Sequence, residues 1–509
     1  MGAVDWLRAL DIEKATANVR HEFTGDWHRD PWGWPELGFL LGKKQDLFVE
    51  NCKAVRSRQV SLIDVPKENW GSRPAVVLDP LDRITYQALI DRLSVDLIGK
   101  LSPSSFGWRL HAVEPKNGVF SRNKTQWNLY RAHLSSLAGV YPVALKTDIV
   151  SCFASIPVQM LADQIEEQSS SGAVSKRLVS MLEGFSEIPD RSGIPQRSTA
   201  SSALANMFLS ALDDVLHVYA KPLPRVISSK VRYESFARWM DDIWLFVKDP
   251  GIARQAQIDL QQVAQTLGLN LNSAKTDVLE GSDVAKEARE VEHSAVDGAL
   301  FVGKSKPLEE LIENVLDSPE KASRTALKFM SKRMRDHRIN YRVQDLLSSA
   351  NRMPHGADVL APLFKENFHA GDLQDWYLEY VNSPWAAFQW SIAQYGRMFS
   401  SGRKPQKRTR DFFARMASDA NSSLPQLALS CQRLSAWDPI ELRAIARSSM
   451  RNISTPHSVR VMALAALGAG EKRATIRKWL GQIQENDATL KMLEVTDFRA
   501  LKVIASYAD

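Results

Sequence analysis

Two carboxylates side by side, Asp241 and Asp242, interrupt an otherwise apolar stretch running from Ser235 to Val247, Ser-Phe-Ala-Arg-Trp-Met-Asp-Asp-Ile-Trp-Leu-Phe-Val. Each flank has the length and composition of a β-strand, so the acidic pair falls where the chain must turn. Adjacent carboxylates at a hairpin tip repel each other, and Gly or Asn would make the turn more easily. A divalent cation removes that repulsion, which makes the pattern a candidate Mg²⁺ site on a β-hairpin. The plainer alternative is a solvated acidic turn, and the rest of the chain decides between them.

The chain has 509 residues, enough for two or three domains with cores of their own. Its net charge of +6 favours a polyanionic partner without requiring one. The three cysteines, Cys52, Cys152 and Cys431, are few and far apart. That argues against a disulfide framework or a zinc site and fits a reducing cytoplasm. The first residues carry charges throughout and lack the apolar centre of a signal peptide. No apolar run approaches a membrane span, so no membrane partner is expected.

The run Gly25–Pro35, with Trp27, Trp32 and Trp34, reads as an ordered loop with buried rings. After it, a turn at Glu68–Ser72 separates two short extended pieces, and a helix follows from Asp82 with Leu89, Ile90 and Leu93 inward. Lys67, Arg73, Arg83 and Arg109 are the basic residues of this block. Val143–Val150 has strand composition, with Asp148 near its end, where a carboxylate is costly unless paired or metal-bound. Phe153 follows at the next turn. Ser198 or Thr199 can cap a helix whose buried face is Leu204, Phe208, Leu209 and Leu212. A further helix is expected near Ile252–Leu267, then a turn, a strand and Lys275 between Gly268 and Gly281, and a short strand at Ala299–Gly303.

From about Lys304 strand patterns vanish. Amphipathic helices are expected at Leu308–Val315, Thr325–Met334, Leu373–Val381, Ala387–Met398, Asp411–Ala417, Pro425–Leu434, Pro439–Met450, Val459–Leu467 and Ala474–Ile483. Their pairing suggests HEAT-type helical hairpins. Two basic clusters, Lys328 to Arg342 and Arg403 to Arg410, are either solvated faces or a groove for a polyanion.

The order strand–Asp148, loop–helix, Asp241–Asp242 hairpin and downstream Lys275 resembles the polymerase palm of reverse transcriptases. Residues 141–157 look like their first catalytic motif. Ile194-Pro195-Gln196 with Ser201 and Leu204-Ala205-Asn206 looks like the second, and Trp239-Met240-Asp241-Asp242 like the third. Gly268–Asn272 with Lys275-Thr276 looks like the fourth, and Leu300–Gly303 like the fifth. Arg73-Pro74 through Asp82-Arg83 and Gln87–Leu89, then Phe106–Arg109, look like finger motifs. The resemblance covers about residues 60–305 and implies an α+β fold: fingers and palm, with an antiparallel sheet and helices, followed by an all-α HEAT-like domain. The implied domains are an N-terminal extension of the fingers at 1–60, fingers and palm at 61–304, and the helical domain at 305–509.

The same resemblance implies chemistry. Asp148, Asp241 and Asp242, with the backbone of Ile149, would hold two Mg²⁺ ions, with Mn²⁺ as an alternative. Lys275 would protonate the leaving pyrophosphate. Lys67, Arg73 and Arg83 would bind the triphosphate, Gln196 would line the nucleotide or template side, and Phe153 would act as a steric gate selecting dNTPs. Two departures narrow the family: Arg197 follows Gln196 where Gly is usual, and Trp239 replaces the usual Tyr. With a helical array after the palm, the chain resembles the abortive-infection reverse transcriptases, which are bacterial anti-phage proteins. That implies template-independent, protein-primed DNA synthesis in the cytoplasm, a single-stranded DNA product attached to protein, and homo-oligomers. Tyr341, Tyr377 and Tyr380 are the candidate priming hydroxyls. The competing readings are a templated, retron-like enzyme and an idle palm serving as a scaffold.

Overall fold

The computed structural model describes residues 5–22, 25–43, 60–111, 119–223, 232–289, 291–453 and 455–508. Cys52 lies outside the described residues, whereas Cys152 and Cys431 are buried free thiols. The chain forms two compact units that do not follow its linear order: residues 1–25 with 81–294, and residues 26–80 with 295–509.

In the second unit, β1 (Ser61–Pro66) and β2 (Ser72–Val77) form an antiparallel hairpin around a turn at Glu68–Trp70. The first unit is built on a five-stranded sheet of β3 (Ser105–Phe106), β4 (Val143–Thr147), β5 (Phe236–Trp239), β6 (Asp242–Val247) and β7 (Asp277–Glu280), in the order β3-β5-β6-β4-β7. Four strands are antiparallel neighbours. The edge pair β3–β5 is parallel and two residues long, so the sheet is mixed rather than antiparallel throughout. Gly107 and Trp108, both at positive φ, turn the chain away and end β3.

The sheet strands are nearly continuous apolar runs because both faces are covered. On one face Ala144, Ala237, Trp244 and Phe246 pack against Tyr130, Leu134 and Leu137, and against Val284 and Ala288. The first three belong to a helix at Asn123–Ala138 and the last two to one at Ser282–Ala288. Taking α1 as Pro80–Ile98, these are α2 and α7. The opposite face is covered by α5 (Ser210–Tyr219) and α6 (Pro250–Thr266). Between them in sequence lie α3 (Cys152–Ser155) and α4 (Thr199–Phe208). α1 buries Leu89, Ile90 and Leu93 completely, as its spacing predicts. α6 begins at Pro250, capped by the Asp249 carboxylate, which accepts from the Gly251 amide at 2.7 Å. The apolar pattern at 198–212 is broken at Leu209 into α4 and α5.

One expected strand is absent. Residues 299–301 close the helix Val291–Phe301, and Phe301 is 90% exposed. A short apolar run does not distinguish helix from strand, and among the described residues no neighbouring strand is there to pair with this one.

The second unit beyond residue 305 is helical. α8 (Lys306–Asp317), α9 (Arg324–Asp336), α12 (Ala370–Val381), α13 (Gln389–Gly396), α14 (Lys407–Ser418), α15 (Leu424–Trp437), α16 (Pro439–Ser449), α17 (Pro456–Gly468) and α18 (Arg473–Leu480) match the nine expected segments. α10 (Val343–Ser349), α11 (Ala357–Asn367) and α19 (Asp487–Val495) are additional. α11 carries Pro362 inside it, a residue that reads as a breaker in sequence.

Residues 26–43 are woven into this unit. Arg460 of α17 is buried and donates to Asp30 at 2.5 Å and to Glu36 at 2.6 Å. Its guanidinium lies 4.3 Å from the ring centre of Trp34. The Trp390 indole donates to the carbonyl of Trp27 at 3.0 Å. The Trp-rich loop is thus ordered with buried rings, as expected.

The basic clusters are neutralised only in part. Arg333 pairs with Asp297, Arg335 with Glu366, Arg342 with Asp345 and Arg408 with Asp375.

Candidate active site

Asp148 stands immediately beyond β4, half-buried. Its carbonyl accepts from the Asn272 amide at 2.7 Å, and the Val150 amide donates to the Asn270 carbonyl at 2.9 Å. Ile149, between them, bridges to Leu271. The chain after Gly268 is therefore stitched to the end of β4. That register carries the Lys275 ammonium to 2.7 Å from Asp148 Oδ2.

Across the sheet, Trp239 pairs with Asp242, so Met240 and Asp241 form a two-residue turn. Such turns need positive φ, and Met240 has φ +58°. A side chain other than Gly, Asn or Asp is disfavoured there, and the turn is held from beneath. Arg238, fully buried, donates to the Met240 carbonyl at 3.3 Å. The same guanidinium grips both oxygens of Asp213 at 2.6 and 2.7 Å and Asn206 Oδ1 at 2.7 Å. Ser105 Oγ donates to Asp213 at 2.6 Å, and Asn206 Nδ2 donates to the Gly107 carbonyl at 3.1 Å. One buried ion pair thus ties together β3, α4, α5 and the acidic turn.

β4 and β6 pair with Thr147 opposite Ile243, which sets Asp148 beside the turn. The Asp241 carboxyl is pushed well above the usual range, first by burial and then by the Asp148 charge next to it. Asp242 is raised as well, mainly by burial. Its carboxylate accepts from the Tyr130 hydroxyl at 2.9 Å. Cys152, on α3, is buried, and burial first, then the charges of Asp241 and Asp148, push its thiol up.

Among the described residues no group of three or more His, Cys, Asp or Glu gathers as a ready-made metal cage. The pair Asp148–Asp241 nevertheless suits Mg²⁺, an ion usually held by one or two carboxylates, water and substrate phosphates. Two carboxylates crowded until one resists ionisation mark a place where a cation would relieve the repulsion. The resemblance also placed Asp242 among the ligands, but Tyr130 occupies one of its oxygens.

The remaining expected residues divide. Phe153 is half-buried on α3, and its carbonyl accepts from the Ile194 amide at 2.9 Å, which joins it to the loop bearing Gln196. Gly193 makes this approach possible: at φ +70°, a Cβ there would stand 2.0 Å from the Phe153 carbonyl oxygen. Arg83 is 5% exposed, and its guanidinium is engaged by Glu22 at 3.1 Å and by the Arg197 carbonyl at 2.5 Å. It braces the Gln196 loop instead of presenting free donors to a phosphate. Lys67 and Arg73 belong to the β1–β2 hairpin of the second unit, with the Arg73 guanidinium 5.7 Å from the ring centre of Trp27. Of the three tyrosines, Tyr377 and Tyr380 are buried in the helical core, and Tyr377 donates to the Ile392 carbonyl. Burial removes both as accessible hydroxyls. Tyr341 is half-buried and donates to Glu313 at 2.6 Å.

Arg238, Asp213, Asn206 and Tyr130 are the contributors that sequence reasoning did not assign roles. Arg238 carried a signal: a cation inside an apolar strand demands a buried partner.

The sequence profile of the reverse transcriptase (RNA-dependent DNA polymerase) family matches residues 65–337, more than half of the chain. The chain belongs to the reverse transcriptase family. It is also similar to the "Putative COX1/OXI3 intron 2 protein" of Saccharomyces cerevisiae, 25% identical over 172 residues. That match covers 33% of this chain and spans about a fifth of the relative, 19% of its length. The reverse transcriptase profile thus contains Asp148, the acidic turn and Lys275, the residues that the sheet and the chain after Gly268 bring together. No helix among the described residues of this reverse transcriptase is long and apolar enough to cross a membrane.

Proposed function

We propose that this reverse transcriptase is a DNA polymerase of bacterial anti-phage defence, of the abortive-infection type. In this reading it builds single-stranded DNA from dNTPs without a template, starting from a protein hydroxyl. The observation that carries the polymerase part is the crowded pair Asp148–Asp241 at the sheet end, with Lys275 against Asp148. When bound there, two Mg²⁺ ions would activate the attacking hydroxyl and stabilise the leaving pyrophosphate. The protein's own part is to hold the two carboxylates on a rigid register, place Lys275 for proton donation and set Phe153 beside the Gln196 loop to exclude a 2′-hydroxyl.

Support for the template-independent part comes from Arg197. It adopts φ +61°, a conformation natural to the glycine usual there, so the turn keeps a glycine's geometry while carrying a long exposed cation. That side chain would crowd the place where a template base stacks. Among the three candidates, Tyr341 is the priming hydroxyl we assign, because the other two are buried. The HEAT-like character of the helical unit, the domain limits, the homo-oligomer, attachment of the product to protein and the cytoplasmic location rest on the resemblance alone.

The test incubates purified protein with dNTPs and Mg²⁺ and no nucleic acid. The expected product is DNA that stays bound to protein through denaturation and is lost in Asp241→Ala. Mass spectrometry after nuclease treatment should find nucleotide on Tyr341. Synthesis only when RNA is added would favour the second reading, a templated RNA-directed enzyme, toward which the family profile itself points. Full anti-phage protection by Asp241→Ala would leave only a scaffold.

A further inference from the structure

A group of large rings stands against the acidic turn at the margin of the core. Trp239 leads into the turn and is half-buried. Trp127 of α2 meets it edge-on at 5.0 Å, Trp108 lies at 5.8 Å and Tyr130 at 5.6 Å. Tyr130, which binds Asp242, also contacts Trp127 at 5.3 Å. Trp127 is 38% exposed, one turn before fully buried Tyr130 on the same helix face. An indole left this open beside a catalytic turn forgoes much of the burial that normally holds tryptophan in place. The strain points the same way: Trp108 is held at φ +44°, and its indole N–H is buried without an acceptor. Unrelieved strain and lost hydrogen bonds tend to persist where function needs them.

The charge on α2 itself is one-sided. Residues 122–138 hold Arg122, Lys124 and Arg131 and no Asp or Glu. Arg122 and Lys124 are exposed at the start of α2, within two turns of Trp127. Aromatic faces interleaved with cations are the recognition chemistry of single-stranded nucleic acid, which stacks bases on rings while its phosphates meet lysine and arginine.

We propose that Trp127, supported edge-on by Trp239, is a stacking site for a nucleobase of a single DNA strand leading to the acidic turn, with Arg122 and Lys124 on its phosphates. The site reads no sequence, because every base presents a π-face. This inference rests on the polymerase reading, which makes a DNA strand the occupant.

The experiment measures fluorescence anisotropy of labelled (dT)8 with the full-length protein in the absence of dNTPs, beside an abasic oligomer of equal length. Trp127→Ala should bind (dT)8 roughly ten- to hundredfold more weakly, and Trp127→Phe within a few-fold of wild type. The abasic oligomer should bind wild type and Trp127→Ala equally, since only stacking has been removed. Equal binding of (dT)8 by Trp127→Ala and wild type, equal losses for both oligomers, or no binding by wild type would overturn the site. Wild-type protein that makes no DNA but shows Trp127-dependent (dT)8 binding would refute the polymerase reading while leaving the site standing.

Discussion

Replacing Arg238 by Met tests whether the acidic turn is held by the ion pair beneath it. The guanidinium makes three strong hydrogen bonds of 2.6–2.7 Å to Asp213 and Asn206 and a longer one to the Met240 carbonyl. Two unit charges about 4 Å apart in a medium of effective dielectric constant about 20 attract by roughly 4 kcal/mol. Removing one member also strands Asp213, which is 2% exposed, as an uncompensated buried charge. Arg238→Met should therefore destabilise the fold by about 3–5 kcal/mol. Replacing both partners, Arg238→Met with Asp213→Leu, removes the stranded charge. The double variant should be more stable than the sum of the single losses by roughly 2–3 kcal/mol. Urea denaturation followed by circular dichroism measures each corner of this cycle. Nucleotide incorporation, assayed where each variant is still folded, should fall in the single and the double variant alike, because in both the Met240 carbonyl has lost its donor. Additivity within about 0.5 kcal/mol would refute the coupling, and unimpaired incorporation would refute the link between this pair and the turn.

Three further outcomes follow from the geometry. Phe153→Ala should raise ribonucleotide use relative to dNTPs by at least about tenfold, since a pocket discriminates weakly once its steric contact is gone; unchanged selectivity in single-nucleotide addition assays would remove Phe153 from that role. Gly193→Ala should cost at least ~2 kcal/mol, because the added Cβ meets backbone rather than a movable side chain at a positive φ; it should also loosen nucleotide selectivity by parting Phe153 from the Gln196 loop, and a variant with wild-type stability would contradict this. Asp91, on α1, has its carboxyl raised from 3.8 to about 7 by burial. A raised folded-state value means that stability is greatest below pH 3.8, declines as pH rises toward 7 and is then flat. Gln87 donates to one Asp91 oxygen at 2.7 Å, while the other and Gln87 Oε1 are buried without partners. Asp91→Asn can supply the missing donor, so it should be more stable than wild type by up to ~4 kcal/mol at about pH 8, with the gap closing toward about pH 4; denaturation across that range decides.

The acidic part of the candidate site was legible because its charges stood in an apolar setting. Asp148 and the Asp241–Asp242 turn stand out because carboxylates in apolar strand stretches need an explanation, and the structure brings them together with Lys275. Arg238 offered the same signal, but its partners are 25 and 32 residues away on helices, and no local pattern names them. Tyr130 carried no local signal, since its partner Asp242 lies 112 residues on. Arg83 was misleading because its donors are taken by Glu22, 61 residues earlier, and by a backbone carbonyl that sequence cannot show. The helical array was legible from periodicity. Ala299–Gly303 was not, since five apolar-leaning residues fit either period, and α11 hid behind Pro362. The grouping of residues 26–80 with the helical unit depends on contacts such as that of Ser61 with His457, 396 residues apart.

The clasp of Arg460 on Asp30 and Glu36 also sets an order of events during synthesis. Glu36 precedes Arg460 by 424 residues. At about 5–20 residues per second, the early segment emerges from the ribosome roughly 20–85 s before its partner exists. Throughout that interval the two carboxylates and the indoles of Trp32 and Trp34 lack the guanidinium that later lies against them. The second unit closes only once Arg460 has been made, whereas Asp148, the acidic turn and Lys275 can assemble long before. A chaperone that shields aromatic segments would find its substrate in these few residues, and only while the protein is being made.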